Sequence, residues 1–317
     1  MPRLMSLMIQ VLFLSSALSA QALEFSLVRT LGAEDDDLFL HNPMSVQAAA
    51  DGTWFLINAG ECRVLHLDAD WGLLNSFGRC GEGPGEFENP RGLVLFRDEV
   101  WVFGMARITV FGQDGQFRRS LVPGLQYQSA TLLDGKPAAV MGVGDRSAAF
   151  LETDGTVARP FGTSCPDDFF EAFKSCRNQQ ILPHDQGLCL LLNPISGKVW
   201  QISPDGEVAW EKSLVPPRDT SRFSESDDGE SVTLSVSFLT GYAGRHPDGN
   251  YWFTIPAENE ESPMSLRVTD EQLNQVGQDI LLPVGVAGFE VFFTPDGLVG
   301  LVSGSESVIH LGRVGLP

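Results

Sequence analysis

The feature that most constrains this chain is a tight turn that returns six times, as Asp51-Gly52, Asp98-Glu99, Asp134-Gly135, Asp185-Gln186-Gly187, Asp248-Gly249 and Asp296-Gly297. Each stands between two short apolar runs. Asp-Gly in that setting predicts a hairpin, because glycine accepts the positive φ that a tight turn demands. Aromatic residues follow three of the turns at a nearly common offset, three or four positions after the aspartate, as Trp54, Trp101 and Trp252. A shared offset fits wedges in a repeated core better than platforms for a ligand.

A second series of turns runs through Asp68-Ala69-Asp70-Trp71-Gly72, Asp114-Gly115, Asp154-Gly155, Asp205-Gly206 and Asp270-Glu271. The unit is therefore four strands, and the last copy, "FEVFFTPDGLVGLVSGSESVIHLGRVGLP", supplies only three before the chain ends. The missing strand has a match near the other end, where "LVRTLG" (27–32) aligns with "LLNSFG" (73–78). Pairing the two would close the array into a ring and remove its exposed sheet edges. The 295 residues from Leu23 to Pro317 divide into units of about 49, close to a four-stranded blade. The expectation is one all-β domain over 23–317: a six-bladed β-propeller with four-stranded blades, closed by its N-terminal strand.

Between the first two units lies "GRCGEGPGEFENPRGL" (78–93). Gly81, Gly83 and Gly85 lack the later glycine of a dinucleotide fingerprint, no Gly-Lys-Ser/Thr follows, and no helix begins there. The stretch reads as the crossing from an outermost strand to the next innermost one. With "NPMSVQAAADGTWFLINAGECRVLHLD" before it, it resembles the NHL-repeat family of six-bladed β-propellers, in which a proline opens the inner strand and "G-x-G-x-G-E-F-x-x-P" links blades. The third-strand arginine usual in that family stands at Arg63 and Arg107, while Glu61-Cys62 replaces its common Asn-His pair.

Residues 1–22 read as an export signal, with Arg3, an apolar run from Leu4 to Leu14, and Ala20-Gln21-Ala22 before the cleavage point. The run is too short for a membrane span. Export to the periplasm or the medium would let the five cysteines oxidise. Cys165 and Cys176 bracket a short helix expected after Ser164, with Phe169, Phe170 and Phe173 on one side, and a bridge between them would pin it. Cys62 and Cys80 sit on connections of the same face and could form a second bridge. Cys189, in the apolar "GLCLLL", is the unpaired one. The polar segment 216–231 reads as a surface loop.

With 41 acidic against 21 basic side chains, the net charge is −20. Such a field disfavours nucleic acid and anionic membrane surfaces, which are held mainly by Lys and Arg. Some exported propellers are zinc lyases with three converging imidazoles. Here only His41 stands near the start of an inner strand, while His66, His184, His246 and His310 fall elsewhere. Others are calcium lactonases built on Glu, Asn and Asp. Asn42 and Asn89 occupy matching places before Pro43 and Pro90, Arg91 follows Pro90, and Asn178 and Glu290 lie near other inner-strand starts. These five form the candidate ligand site at the channel mouth, and Asn42, Asn89, Asn178 and Glu290 supply oxygens that would suit calcium. Asparagine before proline also simply turns the chain. The leading expectation is an exported, non-catalytic scaffold that binds a protein, peptide or small ligand on the interblade-loop face. The alternative is a divalent-cation-dependent hydrolase or lyase, lactonase-like, with its site in the channel.

Overall fold

The computed structural model describes residues 23–33, 37–104, 107–122, 127–141, 146–166, 172, 175–176, 178–216, 221–225, 232–236, 238–256, 264–286 and 288–315. The expected signal segment and Phe169, Phe170 and Phe173 lie outside them. Six four-stranded antiparallel sheets form the blades. The first holds β2 (Pro43–Ala48), β3 (Trp54–Asn58), β4 (Arg63–Leu67) and β5 (Leu73–Phe77). The second holds β6 (Gly92–Phe96), β7 (Glu99–Phe103), β8 (Ile108–Gly112) and β9 (Phe117–Leu121). In the third are β10 (Tyr127–Leu133), β11 (Lys136–Met141), β12 (Arg146–Leu151) and β13 (Val157–Ser164), and in the fourth β14 (Gln180–Pro183), β15 (Cys189–Asn193), β16 (Lys198–Ile202) and β17 (Val208–Ser213). A separate ribbon pairs β18 (Ser221–Glu225) with β19 (Val232–Val236). The fifth blade is β20 (Gly244–Arg245), β21 (Tyr251–Pro256), β22 (Met264–Thr269) and β23 (Ile280–Leu281). The sixth is β24 (Glu290–Phe293), β25 (Val299–Ser303) and β26 (Val308–Gly315), completed by β1 (Glu24–Leu31) from the other end of the chain.

That closure is the one the sequence predicts: β1 runs antiparallel to β26 from Glu24 opposite Gly315 to Leu31 opposite Ile309. The Asp-Gly turns fall where expected, between first and second strands. At Asp134-Gly135 both residues have positive φ, 50° and 69°, the backbone that a two-residue hairpin requires. In the second blade the boundary differs by one residue: Glu99 already belongs to β7, and Arg97 takes the left-handed position, φ 58°. The segment 216–231 is not simply a loop. It contains β18, which runs antiparallel to β19 from Ser221 opposite Val236 to Glu225 opposite Val232.

Each pair of neighbouring blades shares one apolar cluster, so the core is a ring of six. Between the first and second blades it contains Phe55, Ile57, Val64, Leu93, Val102 and Phe111. Phe87, brought in by the glycine-rich crossing, is buried in the same cluster. Gly78 makes room for it: at φ 88°, a Cβ there would stand 2.4 Å from the Phe87 ring. Within the crossing, the Glu86 carboxylate accepts from Arg79 Nε at 2.6 Å and from Gly83 N–H at 2.7 Å. The glycines serve the turn, with the loop's own acid at its centre. Trp54 and Trp101 are buried core residues as expected, Trp54 stacking on Trp71 at 4.7 Å and meeting Phe292 of the sixth blade at 5.7 Å.

Both expected disulfides are formed, Cys62–Cys80 with Cα atoms 5.0 Å apart and Cys165–Cys176 with 5.6 Å. Cys189 is free and buried, and burial pushes its thiol up.

Candidate functional site: the channel and its mouth

The six innermost strands, β2, β6, β10, β14, β20 and β24, leave a cavity of about 390 Å³ along the axis, lined by residues of all six blades. Both faces of each such strand pack on neighbouring blades, so its edge faces the axis and consecutive residues, as in Ser45–Ala48 and Glu290–Phe293, line the cavity. Ser45, Ser129, Thr131 and Gln180 are among the lining residues, with Arg91, Tyr242 and Glu290 at the inner-strand starts. Ala48, Pro183, Arg245 and Phe293 mark the opposite end.

Several of these polar groups bind blade to blade. Ser45 has φ 52° and sits where the register between β2 and β3 shifts. That bulge frees the N–H groups of Ser45 and Val46, and both donate to the Glu290 carboxylate of the sixth blade, at 3.0 and 3.3 Å. The Ser45 hydroxyl in turn accepts the Leu93 N–H of the second blade at 2.9 Å. Burial is the larger influence on Glu290 and pushes its carboxyl above the ordinary range, against the two amide bonds that favour the charged form.

Tyr242 lies beside Glu290. Its N–H donates to Phe289 O at 2.5 Å, and its carbonyl accepts from Val291 N–H at 3.2 Å. The phenol is pushed up to about 12, by burial first and then by the Glu290 charge, with Arg91 pulling the other way. Arg91 and Glu290 are thus both within electrostatic reach of one hydroxyl. The side chain of Arg91 is exposed and makes no ion pair among the described residues. At the far end Arg245 is engaged by Asp185 at 2.5 Å and Glu271 at 3.7 Å.

Of the residues expected at the mouth, Arg91 and Glu290 line the cavity, whereas Asn42, Asn89 and Asn178 are not among the lining residues. Asn42 and Asn89 hold left-handed backbone, φ 52° and 46°, a conformation asparagine tolerates unusually well. The Asn42 N–H donates to the Ser307 hydroxyl at 3.1 Å. Asn178 is half-buried and has partners of its own. No histidine is found among the lining residues, and among the described residues no three His, Cys, Asp or Glu side chains gather as a metal-binding group. Sequence reading missed Ser45, Gln180 and Tyr242. Their position, within the first residues of an inner strand or just before it, is the signal that could have found them.

The fold and the open axis define a six-bladed β-propeller with a polar-mouthed channel. No protein-family model matches the chain, and no curated protein matches it. Among solved structures it is similar to a streptogramin B lyase, at 14% identity and TM-score 0.56, over 93% of this chain and 98% of that one. A Bacteroides thetaiotaomicron protein of unknown function shares 13% identity with TM-score 0.59, over 93% of this chain and 76% of the other. A Bacteroides fragilis NCTC 9343 protein named for its inferred export shares 11% with TM-score 0.57, over 93% and 95%. At these identities the likeness is one of fold.

Proposed function

We propose that this chain is an exported, non-catalytic recognition scaffold whose ligand enters the channel from the face carrying the interblade crossings. The observation that carries this reading is the open cavity of about 390 Å³ with two polar side chains at its mouth, Arg91 and the Tyr242 hydroxyl, that have no side-chain partner among the described residues. A concave apolar wall with a few convergent polar groups is the usual form of a small-molecule site. Export is supported by the two disulfides and by the likeness to a protein named for export.

The donor set supports this reading over a calcium-dependent hydrolase or lyase. Glu290 spends its carboxylate on two backbone amides, and burial raises its carboxyl above the ordinary range. Asn42, Asn89 and Asn178 do not line the cavity with it. A hard cation needs several oxygens converging on one point, and these residues do not fit that requirement.

Two measurements test the reading. Melting with calcium, magnesium or chelator, for the wild type and Glu290→Gln, should give midpoints that do not respond to the cation. A small-molecule melting screen on the wild type and on Thr131→Trp, which plugs the channel, should find compounds that stabilise only the wild type. A calcium-dependent midpoint abolished in Glu290→Gln would replace the scaffold reading with the cation one.

A further inference from the structure

We propose that the channel's ligand is a small monocarboxylate with an apolar body, its carboxylate held at the mouth by Arg91 and the Tyr242 hydroxyl. The inference rests on the channel being the binding site, and it adds the class of ligand.

The charge inventory of the cavity comes first. Its charged lining residues among those described are Arg91, Arg245 and Glu290. Arg245 is already engaged by Asp185 and Glu271, and Glu290 by the Ser45 and Val46 amides. Of these three, Arg91 alone has no ion-pair or hydrogen-bond partner for its side chain among the described residues. In a protein with 41 acidic and 21 basic side chains, an arginine left without a carboxylate beside a cavity marks a place where an anion is wanted.

The chemistry of Arg91 selects among anions. A guanidinium presents paired donors in a plane, which match the two oxygens of a carboxylate. The phenol of Tyr242 has no hydrogen-bond partner among the described residues and stays protonated at any physiological pH, so it serves as a donor. The overall charge of −20 opposes multiply charged ligands more than singly charged ones. One cation and one neutral donor therefore suit a monoanion rather than a phosphate dianion.

The walls describe the remainder of the ligand. Tyr242 is backed outside the cavity lining by Phe289, edge-on at 5.1 Å, which in turn packs on Phe238 at 4.7 Å. Deeper in, Ile181, Val291, Phe292 and Trp54 contribute to the lining. A cavity of about 390 Å³ is within the range that small-molecule sites occupy.

The test is calorimetric titration of the full chain with octanoate and phenylacetate, each against its neutral amide, octanamide and phenylacetamide, and with inorganic phosphate. The acids should bind at least tenfold more tightly than the amides and than phosphate. Arg91→Gln should lose that preference, Arg91→Lys should keep part of it, and Tyr242→Phe should weaken the acids several-fold. Melting of each variant shows that it is folded. Equal binding of acid and amide, no binding of either acid, or full acid binding by Arg91→Gln would overturn the inference. A neutral compound that binds the wild type, fails on Thr131→Trp and ignores Arg91→Gln would overturn it while leaving the channel as the binding site.

Discussion

The side chain of Gln180 grips the backbone of Ala243 at both ends: its Nε2 donates to the Ala243 carbonyl at 2.9 Å, and its Oε1 accepts the Ala243 N–H at 2.7 Å. Gln180 opens the inner strand of the fourth blade, and Ala243 immediately precedes that of the fifth. The inner strands of the fifth and sixth blades meet through a backbone bridge at Tyr242 and Glu290, whereas between the fourth and fifth no such bridge is found among the described residues and a side-chain amide supplies the pairing. Gln180→Ala leaves both Ala243 groups without their partner, at a cost of about 1–3 kcal/mol. Gln180→Glu faces the Ala243 carbonyl with an acceptor and should be no more stable. Urea unfolding measures both, and unchanged midpoints would show that the clamp contributes nothing.

Removing β1 should open the ring. Phe25 and Leu31 are buried on this strand, and burying side chains of this kind is worth about 1.5–3 kcal/mol each. A chain beginning at residue 33 should therefore melt well below the intact protein and associate through the bared edge of β26. Scanning calorimetry and light scattering report the two effects.

Glu99 provides the clearest pH signature. The hydrogen bonds from Arg119, at 2.5 and 2.9 Å, hold its carboxyl down to about 2, and Trp101 Nε1 adds a third at 2.8 Å. A depressed folded pKa contributes stability that is complete above the ordinary carboxyl range and is lost as pH falls toward the folded value. Discounted for the part-exposed guanidinium, the contribution is about 1–2 kcal/mol. Stability of the wild type should fall between about pH 5 and pH 2 more steeply than that of Glu99→Gln, as read by unfolding midpoints across the series.

The disulfides predict a redox dependence. Non-reducing peptide mapping should recover Cys62 with Cys80 and Cys165 with Cys176, leaving Cys189 as the free thiol. Cys62→Ala with Cys80→Ala should cost about 2–4 kcal/mol through the loop it releases. Cys189→Ala should leave the redox response intact.

The architecture was legible because its signals are local. An Asp-Gly pair fixes its own backbone, and the interval between pairs counts the blades. The missing strand was legible by subtraction, since five second turns cannot complete six units. The channel was read less well. Asn42 and Asn89 repeat in sequence, yet their left-handed backbone answers the needs of the turn before Pro43 and Pro90. The groups that hold the axis together act across blades. Glu290 meets Ser45 over 245 positions, and Gln180 meets Ala243 over 63. No periodicity in the chain encodes such a meeting, because it depends on the bulge at Ser45 and on how far each inner strand is tilted.

The closing strand also sets an order of events. Thr30 and His310, joined at 3.2 Å across the seam, are 280 positions apart, so the first strand made is the last to find its partner. Loop-closure entropy falls on that single step. Five blades pair strands that are neighbours in sequence while the sixth waits, and until β1 docks the outer edge of β26 stands bare. The integrity of the ring thus hangs on eight residues, Glu24–Leu31, the segment that covers that edge.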